Sequence, residues 1–282
     1  MIREVHVGQI TELVASLAVE ACTQLGDDVL AFLERAVEQE ESLAGRRVLV
    51  ELIENANIAR EHNLPLCQDT GLAVVYLEVG QDVHLVGGDL EEAVNEGVRR
   101  GYVGGYLRKS VVADPLGARC NTGDNTPAVL HTRIVPGDRV RVTVVPKGGG
   151  AENMSALAML IPAQGRAGAV EFVVETVRRA GANPCPPLVV GVGIGGTFEK
   201  AAYMAKHALL REIGSANPKP RLAELEEEIE RRCNALGIGP AGFGGRITVM
   251  DVFVEEAPCH IASLPVAVNL QCHAARHKEV VL

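Results

Sequence analysis

The sequence predicts an α+β fold: an N-terminal helical section, then a mixed, largely antiparallel sheet with flanking helices. Three observations predict it. Apolar residues recur at helical spacing through the first sixty positions. After Cys67 the pattern changes to short runs rich in Val, bounded by Gly, Pro and Asp. Those runs are irregularly spaced and several look hairpin-connected, which argues against a doubly wound sheet.

Ile10, Leu13, Val14, Leu17 and Ala21 make the first helical stripe. Val29, Leu33, Ala36 and Val37 make a second, and Leu49, Leu52, Ile53 and Ala56 a third. Pro65 in "HNLPL" breaks this helical section. Strands are expected in "GLAVVYLEVG", "DRVRVTVVP", "PLVVGVGIG", "RITVMDVFVEE" and "SLPVAVNLQ". Helices are expected between them near 89–100, 168–180, 197–212 and 221–236. The last has Leu222, Leu225, Ile229, Cys233 and Leu236 on one face. Glu227–Arg231 and Glu228–Arg232 are paired four apart on another. No repeat or low-complexity segment appears. "GSANPKP" (214–220) reads as a surface loop and a weak boundary. The organisation expected is one domain, 1–282, with a helical lobe over about 1–62 and an α+β lobe over about 63–282.

Composition excludes several classes. Hydrophobic residues are 47% of the chain, enough for a sizeable core, but aromatics are only 3%, so Val, Leu, Ile and Ala must fill it. The net charge of −9 and the lack of a Lys/Arg cluster argue against nucleic acid or an anionic membrane as partner. No apolar run is long enough to span a bilayer. "MIREVHVGQITELV" lacks the basic start and apolar core of a signal peptide. A cytoplasmic location is expected.

The seven cysteines are an odd number, and a disulfide framework is not expected. No C-x-x-C pair occurs, so a metal site must gather ligands from distant positions. Cys22 and Cys233 lie on apolar helical stripes and read as small core hydrophobes. Cys67, Cys185 and Cys272 differ, because each lies at an edge of regular structure among Pro, Gly or polar residues. Cys185 is flanked by Pro184, Pro186 and Pro187, which restrict the backbone. Buried structural cysteine is the ordinary reading of such residues, and a metal site is the sharper one. A cubane iron–sulfur cluster usually takes four Cys ligands; with three, one iron keeps an open position and can act as a Lewis acid.

Six stretches, "CQDTG", "YLRKSVVADPL", "RCNTGDNTP", "PKGGGAENMS", "NPCPPLVVGVGIGGT" and "PCHIASLPVAVNLQCHAARH", together resemble the alpha subunit of class I fumarate hydratases and, nearly as well, that of L-tartrate dehydratases. The resemblance runs from about residue 5 to the C-terminus. It implies a [4Fe–4S] cluster with three Cys ligands at Cys67, Cys185 and Cys272. It implies reversible hydration of fumarate to malate, or the same chemistry on tartrate. It also implies a beta subunit that supplies the catalytic base, in a dimer of alpha–beta heterodimers.

By the same resemblance Asp69 is the proton donor to the leaving hydroxyl, and Gln68, Arg108, Gly149 and His260 bind substrate. Each has a plainer reading. Asp69 suits a turn or cap in "QDTG". Arg108 suits a solvated surface, although guanidinium matches carboxylate bidentately. Gly149, in a glycine run before a helix expected to begin near Glu152, suits a flexible loop, although N–H groups at a helix start bind anions. His260 suits a structural role, although a neutral imidazole could hydrogen-bond substrate. Cys259 reads as a nearby core thiol rather than a fourth ligand.

A different enzyme class competes. Gly191, Gly193 and Gly196 in "GVGIGG" have G-x-G-x-x-G spacing after a strand and before a helix, the context of a dinucleotide fingerprint. An NAD-dependent dehydrogenase is therefore the runner-up. The motif alone is weak, and Pro186 and Pro187 crowd the strand start.

Overall fold

The computed structural model describes residues 2–282. The chain divides into two compact units, each assembled from separate stretches of sequence.

The first unit comprises residues 1–26, 56–149 and 276–282. Strands β1 (Arg3–His6) and β3 (Val83–Val86) pair in parallel. Strands β2 (Leu72–Gly80), β4 (Val129–Val135), β5 (Val140–Lys147) and β10 (Lys278–Val281) form a sheet in the order β10–β5–β2–β4. β2 is antiparallel to β5, with Leu72 opposite Lys147, and parallel to β4, with Val74 opposite Val129. Helices α1 (Val7–Thr23) and α4 (Leu90–Gly104) pack on it. Alternate strand residues supply the core face: Ala73, Val75, Leu77 and Val79 from β2, and Val140, Val142 and Val144 from β5. Ile10, Val14, Leu17, Val94 and Val98 meet them from the helices at helical spacing. The helices approach closely at Gly97 and Gly101. A Cβ there would lie 2.7 Å from the Thr11 carbonyl oxygen and 2.8 Å from that of Ala15. Asp89 caps α4, its carboxylate accepting from the Glu92 N–H at 2.9 Å.

The second unit comprises residues 27–55 and 150–275. Its sheet holds β6 (Ala156–Leu160), β7 (Leu188–Gly195), β8 (Val249–Ala257) and β9 (Leu264–Gln271) in the order β6–β9–β7–β8. β9 is antiparallel to both neighbours, and β7 and β8 run parallel. Met250 is an extra residue in β8, since Leu188 faces Val249 and Val189 faces Asp251. Helices α6 (Gly165–Ala180) and α8 (Pro220–Asn234) cover one face. Val170, Val173, Val174 and Val177 pack there with Leu222, Leu225, Ile229 and Cys233 over Val190, Val192, Val252, Val254, Val266, Val268 and Leu270. Each large aliphatic chain so buried contributes about 1.5–3 kcal/mol. Helix α7 (Phe198–Ala208) lies on the other face through Ala201 and Ala205, against Ala267.

Gly191 and Gly193 are part of that second contact. They lie within β7, on the face opposite Val190 and Val192. A Cβ on Gly191 would sit 2.0 Å from the Ala205 carbonyl oxygen, and one on Gly193 2.1 Å from that of Ala201. The dinucleotide reading needs its glycines in the loop after the strand, so these two are accounted for by helix-on-sheet packing.

Helix α2 (Asp27–Gln39) and the first thirteen residues of α3 (Leu43–His62) also belong to this unit. Glu40, fully buried between them, accepts the backbone N–H groups of Ser42 at 2.8 Å, Arg246 at 2.9 Å and Ile247 at 2.8 Å.

The architecture is α+β as expected, with the strands divided between two four-stranded sheets and the β1–β3 pair rather than held in one sheet. The helix expected to begin near Glu152 is instead a single turn, α5 (Gly149–Glu152), that ends there and leads into β6.

Candidate functional site

The turn before β2 is held from several sides in the first unit. The Asp69 N–H donates to Cys67 Sγ at 3.4 Å, and Cys67 Sγ donates to Gln68 Oε1 at 3.4 Å. Asp69 Oδ1 accepts the Gly71 N–H at 3.0 Å, closing an Asx turn. Oδ2 accepts the Gly149 N–H at 2.8 Å, which ties the glycine run to the same turn. Both carboxylate oxygens thus take the turn role, and the Gly149 N–H points at Asp69. Gly71 is in the left-handed region (φ 76°), and a Cβ there would lie 2.6 Å from the Lys147 carbonyl carbon, so only glycine fits.

The main chain of this turn is equally anchored. The Thr70 carbonyl accepts the Tyr102 hydroxyl at 3.1 Å, and the Asp69 carbonyl accepts Arg276 Nη2 at 2.6 Å. Thr70 Oγ1 donates to the Arg108 carbonyl at 3.2 Å, fixing the start of the long loop after α4 beside the turn. Gln68 and Arg108 have exposed side chains, and Cys67 and Asp69 are half-buried. Asn125, fully buried and in the left-handed region (φ 65°), bridges the two segments by accepting the Ser110 N–H and donating to the Gly71 carbonyl. Gln68, Asp69, Arg108 and Gly149 are therefore held on connected backbone.

In the second unit Cys185 adopts a left-handed conformation (φ 56°), unusual for a residue with a Cβ. Its N–H donates to the Ala182 carbonyl at 3.0 Å, and its carbonyl accepts the His273 N–H at 3.2 Å. Cys185 and Cys272 are thereby neighbours at one end of the sheet. Within this unit a Cβ on Gly150 would lie 3.4 Å from the carbonyl oxygen of Asn183, two residues before Cys185.

His260 is at the opposite end. It lies exposed in the loop between β8 and β9, its Nδ1 accepting the Ala262 N–H at 3.2 Å. The eight residues of β9 separate it from Cys272. At about 3.4 Å per residue that is roughly 27 Å. The chain does not bring His260 to Cys272, and Cys259 beside it is equally remote.

Among the described residues no cysteine is in a disulfide. Burial pushes the Cys22 thiol up to about 11 and the Cys233 thiol up to about 12, and both are core residues as expected. The sequence reading missed several residues of these surroundings. Arg276 and Asn125 act through backbone groups of the turn, a role without a motif. Glu152, Asn269 and Gln271 are polar residues in or beside strands and glycine runs; the only signal was polarity inside an apolar strand pattern.

The family model described as fumarate hydratase (Fumerase) matches residues 11–281. A Methanocaldococcus jannaschii protein provisionally named L(+)-tartrate dehydratase subunit alpha is 43% identical over 273 residues, covering 95% of each chain. The L(+)-tartrate dehydratase alpha subunits of Escherichia coli K12 and Shigella sonnei are each 36% identical, over 96% of this chain and 89% of theirs. The match to the family model spans nearly the whole chain, so the chain belongs to the fumarate hydratase (Fumerase) family.

Proposed function

We propose that the chain is the alpha subunit of a cytoplasmic hydro-lyase that hydrates fumarate reversibly to malate and works with a beta subunit in a dimer of alpha–beta heterodimers. In the dehydration direction a proton leaves one carbon and hydroxide the next, giving the double bond and water. The observation that carries the reading is the seating of Cys185. Strained backbone at a non-glycine residue persists where surroundings enforce it, commonly at functional sites. Here it turns a thiol outward beside Cys272.

The donor chemistry fits a thiolate-held group. Cys67, Cys185 and Cys272 are all at least partly accessible, whereas Cys22 and Cys233 are kept protonated by burial. A [4Fe–4S] cluster on Cys67, Cys185 and Cys272 would supply a Lewis-acidic iron for the substrate hydroxyl. Asp69, next to the Cys67 turn, carries the proton to the leaving hydroxyl. Gln68 and Arg108 grip the carboxylates, Arg108 bidentately. Gly149 joins them through its link to Asp69 and leaves room for substrate by having no side chain. His260 is assigned no contact with substrate held at Cys272 of the same chain. The catalytic base and further cations come from the beta subunit, since this chain's charge of −9 is wrong for a complete dicarboxylate pocket.

A second reading, L(+)-tartrate dehydration by the same chemistry, is favoured by the names of the relatives. Among the described residues no helix is long and apolar enough to cross a membrane.

Anaerobic reconstitution with iron and sulfide tests the reading. The chain should load about four irons. Cys67→Ser, Cys185→Ser and Cys272→Ser should each abolish loading, and Cys233→Ser should not. The loaded chain alone should be inactive, and co-purified beta subunit should restore hydration. Full loading in any of the first three variants removes that residue from the ligand set, and robust hydration by the chain alone removes the partner.

A further inference from the structure

The stretch "YLRKSVVADPLGARCNTGDNTP" (106–127) follows α4 in the first unit. Between Arg108 and Asn125 it runs out and back as a hairpin arm. Val112 bridges Asn121 antiparallel, the Ala113 N–H donates to the Cys120 carbonyl at 2.8 Å, and the Thr122 N–H donates to the Val111 carbonyl at 3.0 Å. The tip is braced from inside. Asp114 Oδ1 accepts the N–H groups of Leu116 at 3.1 Å and Gly117 at 2.8 Å, and Oδ2 accepts that of Ala118 at 2.9 Å. Arg119 Nη1 donates to the Pro115 carbonyl at 2.7 Å. Gly117 is required there, because a Cβ would lie 2.0 Å from Asp114 Oδ2.

This arm covers nothing of its own unit. Every residue from 113 to 121 is exposed, and Leu116 at the tip is 97% exposed. At the root, left-handed backbone (φ 54°) leaves Tyr106 90% exposed while Leu107 beside it is buried. Arg119 is left-handed too (φ 50°). A lone exposed leucine needs no explanation. A braced one does, because fixing this stretch costs conformational entropy that no burial within the unit offsets. Strain at exposed non-glycine residues adds to that cost. Order held in advance does lower the cost of binding a partner.

We infer that the arm docks into the subunit that completes the site, with Leu116 in an apolar socket and Lys109 and Arg119 against carboxylates on its rim. This rests on the two-subunit hydro-lyase reading above and names the surface that joins the two chains. Two features choose that occupant. The root of the arm is the backbone of the site itself: Thr70 Oγ1 donates to the Arg108 carbonyl, and Asn125 holds both Ser110 and Gly71. A chain that grips the arm is thereby set against the Asp69 turn, where a base is needed. The second feature is charge. Lys109 and Arg119 face outward with one carboxylate, Asp114, which is occupied by three N–H groups. The arm is a positive projection on a chain of −9, so its complement is acidic. A second copy would oppose its own −9 to that of the first and bring no new base.

The test titrates the full-length, cluster-loaded chain with purified beta subunit by calorimetry and follows the species by sedimentation velocity. Leu116→Glu should weaken the association at least about 30-fold, the effect of losing an anchor residue. The Tm and iron loading of the chain alone should stay at wild-type values, because Leu116 supports nothing in its own unit. Arg119→Gln should slow association and flatten its dependence on salt. Wild-type affinity in Leu116→Glu overturns the inference, and so does a lowered Tm of the isolated variant, which would place the leucine against its own unit. Loss of chain–chain dimers with affinity for the beta subunit intact also overturns it and assigns the arm to a second copy. A wild-type chain that binds no beta subunit overturns the two-subunit reading instead.

Discussion

Gly193→Ala separates the two accounts of the "GVGIGG" stretch. A Cβ built on Gly193 lies 2.1 Å from the Ala201 carbonyl oxygen, 2.8 Å from the Ala205 nitrogen and 3.0 Å from the Ala201 carbonyl carbon. Comfortable contact is about 3.5 Å, so α7 would have to retreat by roughly 1.4 Å at its closest point. The atoms in the way are helix backbone, and the apolar residues there are Ala201 and Ala205, with no flexible side chain to yield. Overpacking commonly costs about 1–3 kcal/mol, and this rigid case belongs near ~3 kcal/mol. At about 2–4 °C per kcal/mol for a body of 150–250 residues, the Tm should fall by ~6–12 °C. Gly104→Ala is the control of opposite sign. Gly104 ends α4, nothing lies within 4 Å of its Cβ position, and alanine there should stabilise by about 0.5–1 kcal/mol. Thermal and urea unfolding measure both. NADH fluorescence titration of the wild type should show no binding. A Gly193→Ala protein within ~1 kcal/mol of wild type, or saturable NADH binding, would refute the packing account.

Other expectations follow from the same geometry. Asp69→Asn should retain iron loading and lower turnover of the complex by about 10² to 10⁴, the range for loss of a general acid; near-normal turnover would leave Asp69 with only its turn role. Glu40→Gln keeps one acceptor oxygen but turns an NH₂ toward backbone N–H groups of Arg246 or Ile247, and should destabilise by about 2–4 kcal/mol in urea unfolding. Burial would raise the Glu40 carboxyl, but the N–H groups of Ser42, Arg246 and Ile247 outweigh it and hold it below the ordinary range. The stability this adds is complete above the unfolded value near ~4.3 and is lost as pH falls through the lower folded one. The wild-type advantage over Glu40→Gln should therefore be constant from neutral pH down to about 5 and shrink in stronger acid; an advantage that grows in acid contradicts the assignment.

What the sequence determined by itself was local. Helix α8 was legible because Leu222, Leu225, Ile229 and Cys233 repeat at the helical period, and that period is a property of the chain alone. Strands β2, β5, β7, β8 and β9 were legible because their apolar runs are long and Val-rich. The interior places of Cys22 and Cys233 followed from their stripes, and the family resemblance rested on quoted motifs. Strands β4, β6 and β10 left no comparable mark, because they are edge strands with no buried residue and need no continuous apolar run, whereas β8, also at an edge, is buried over most of its length. The tertiary structure alone decided which distant segments share a unit, as when Arg276 returns to the turn of Asp69 and Glu40 to the start of β8. It alone put Gly191 and Gly193 under α7, because a missing Cβ has the same letter whether it admits a phosphate or a helix. And it alone separated His260 from Cys272: twelve residues are close in sequence, but an extended strand carries them to opposite ends of a sheet.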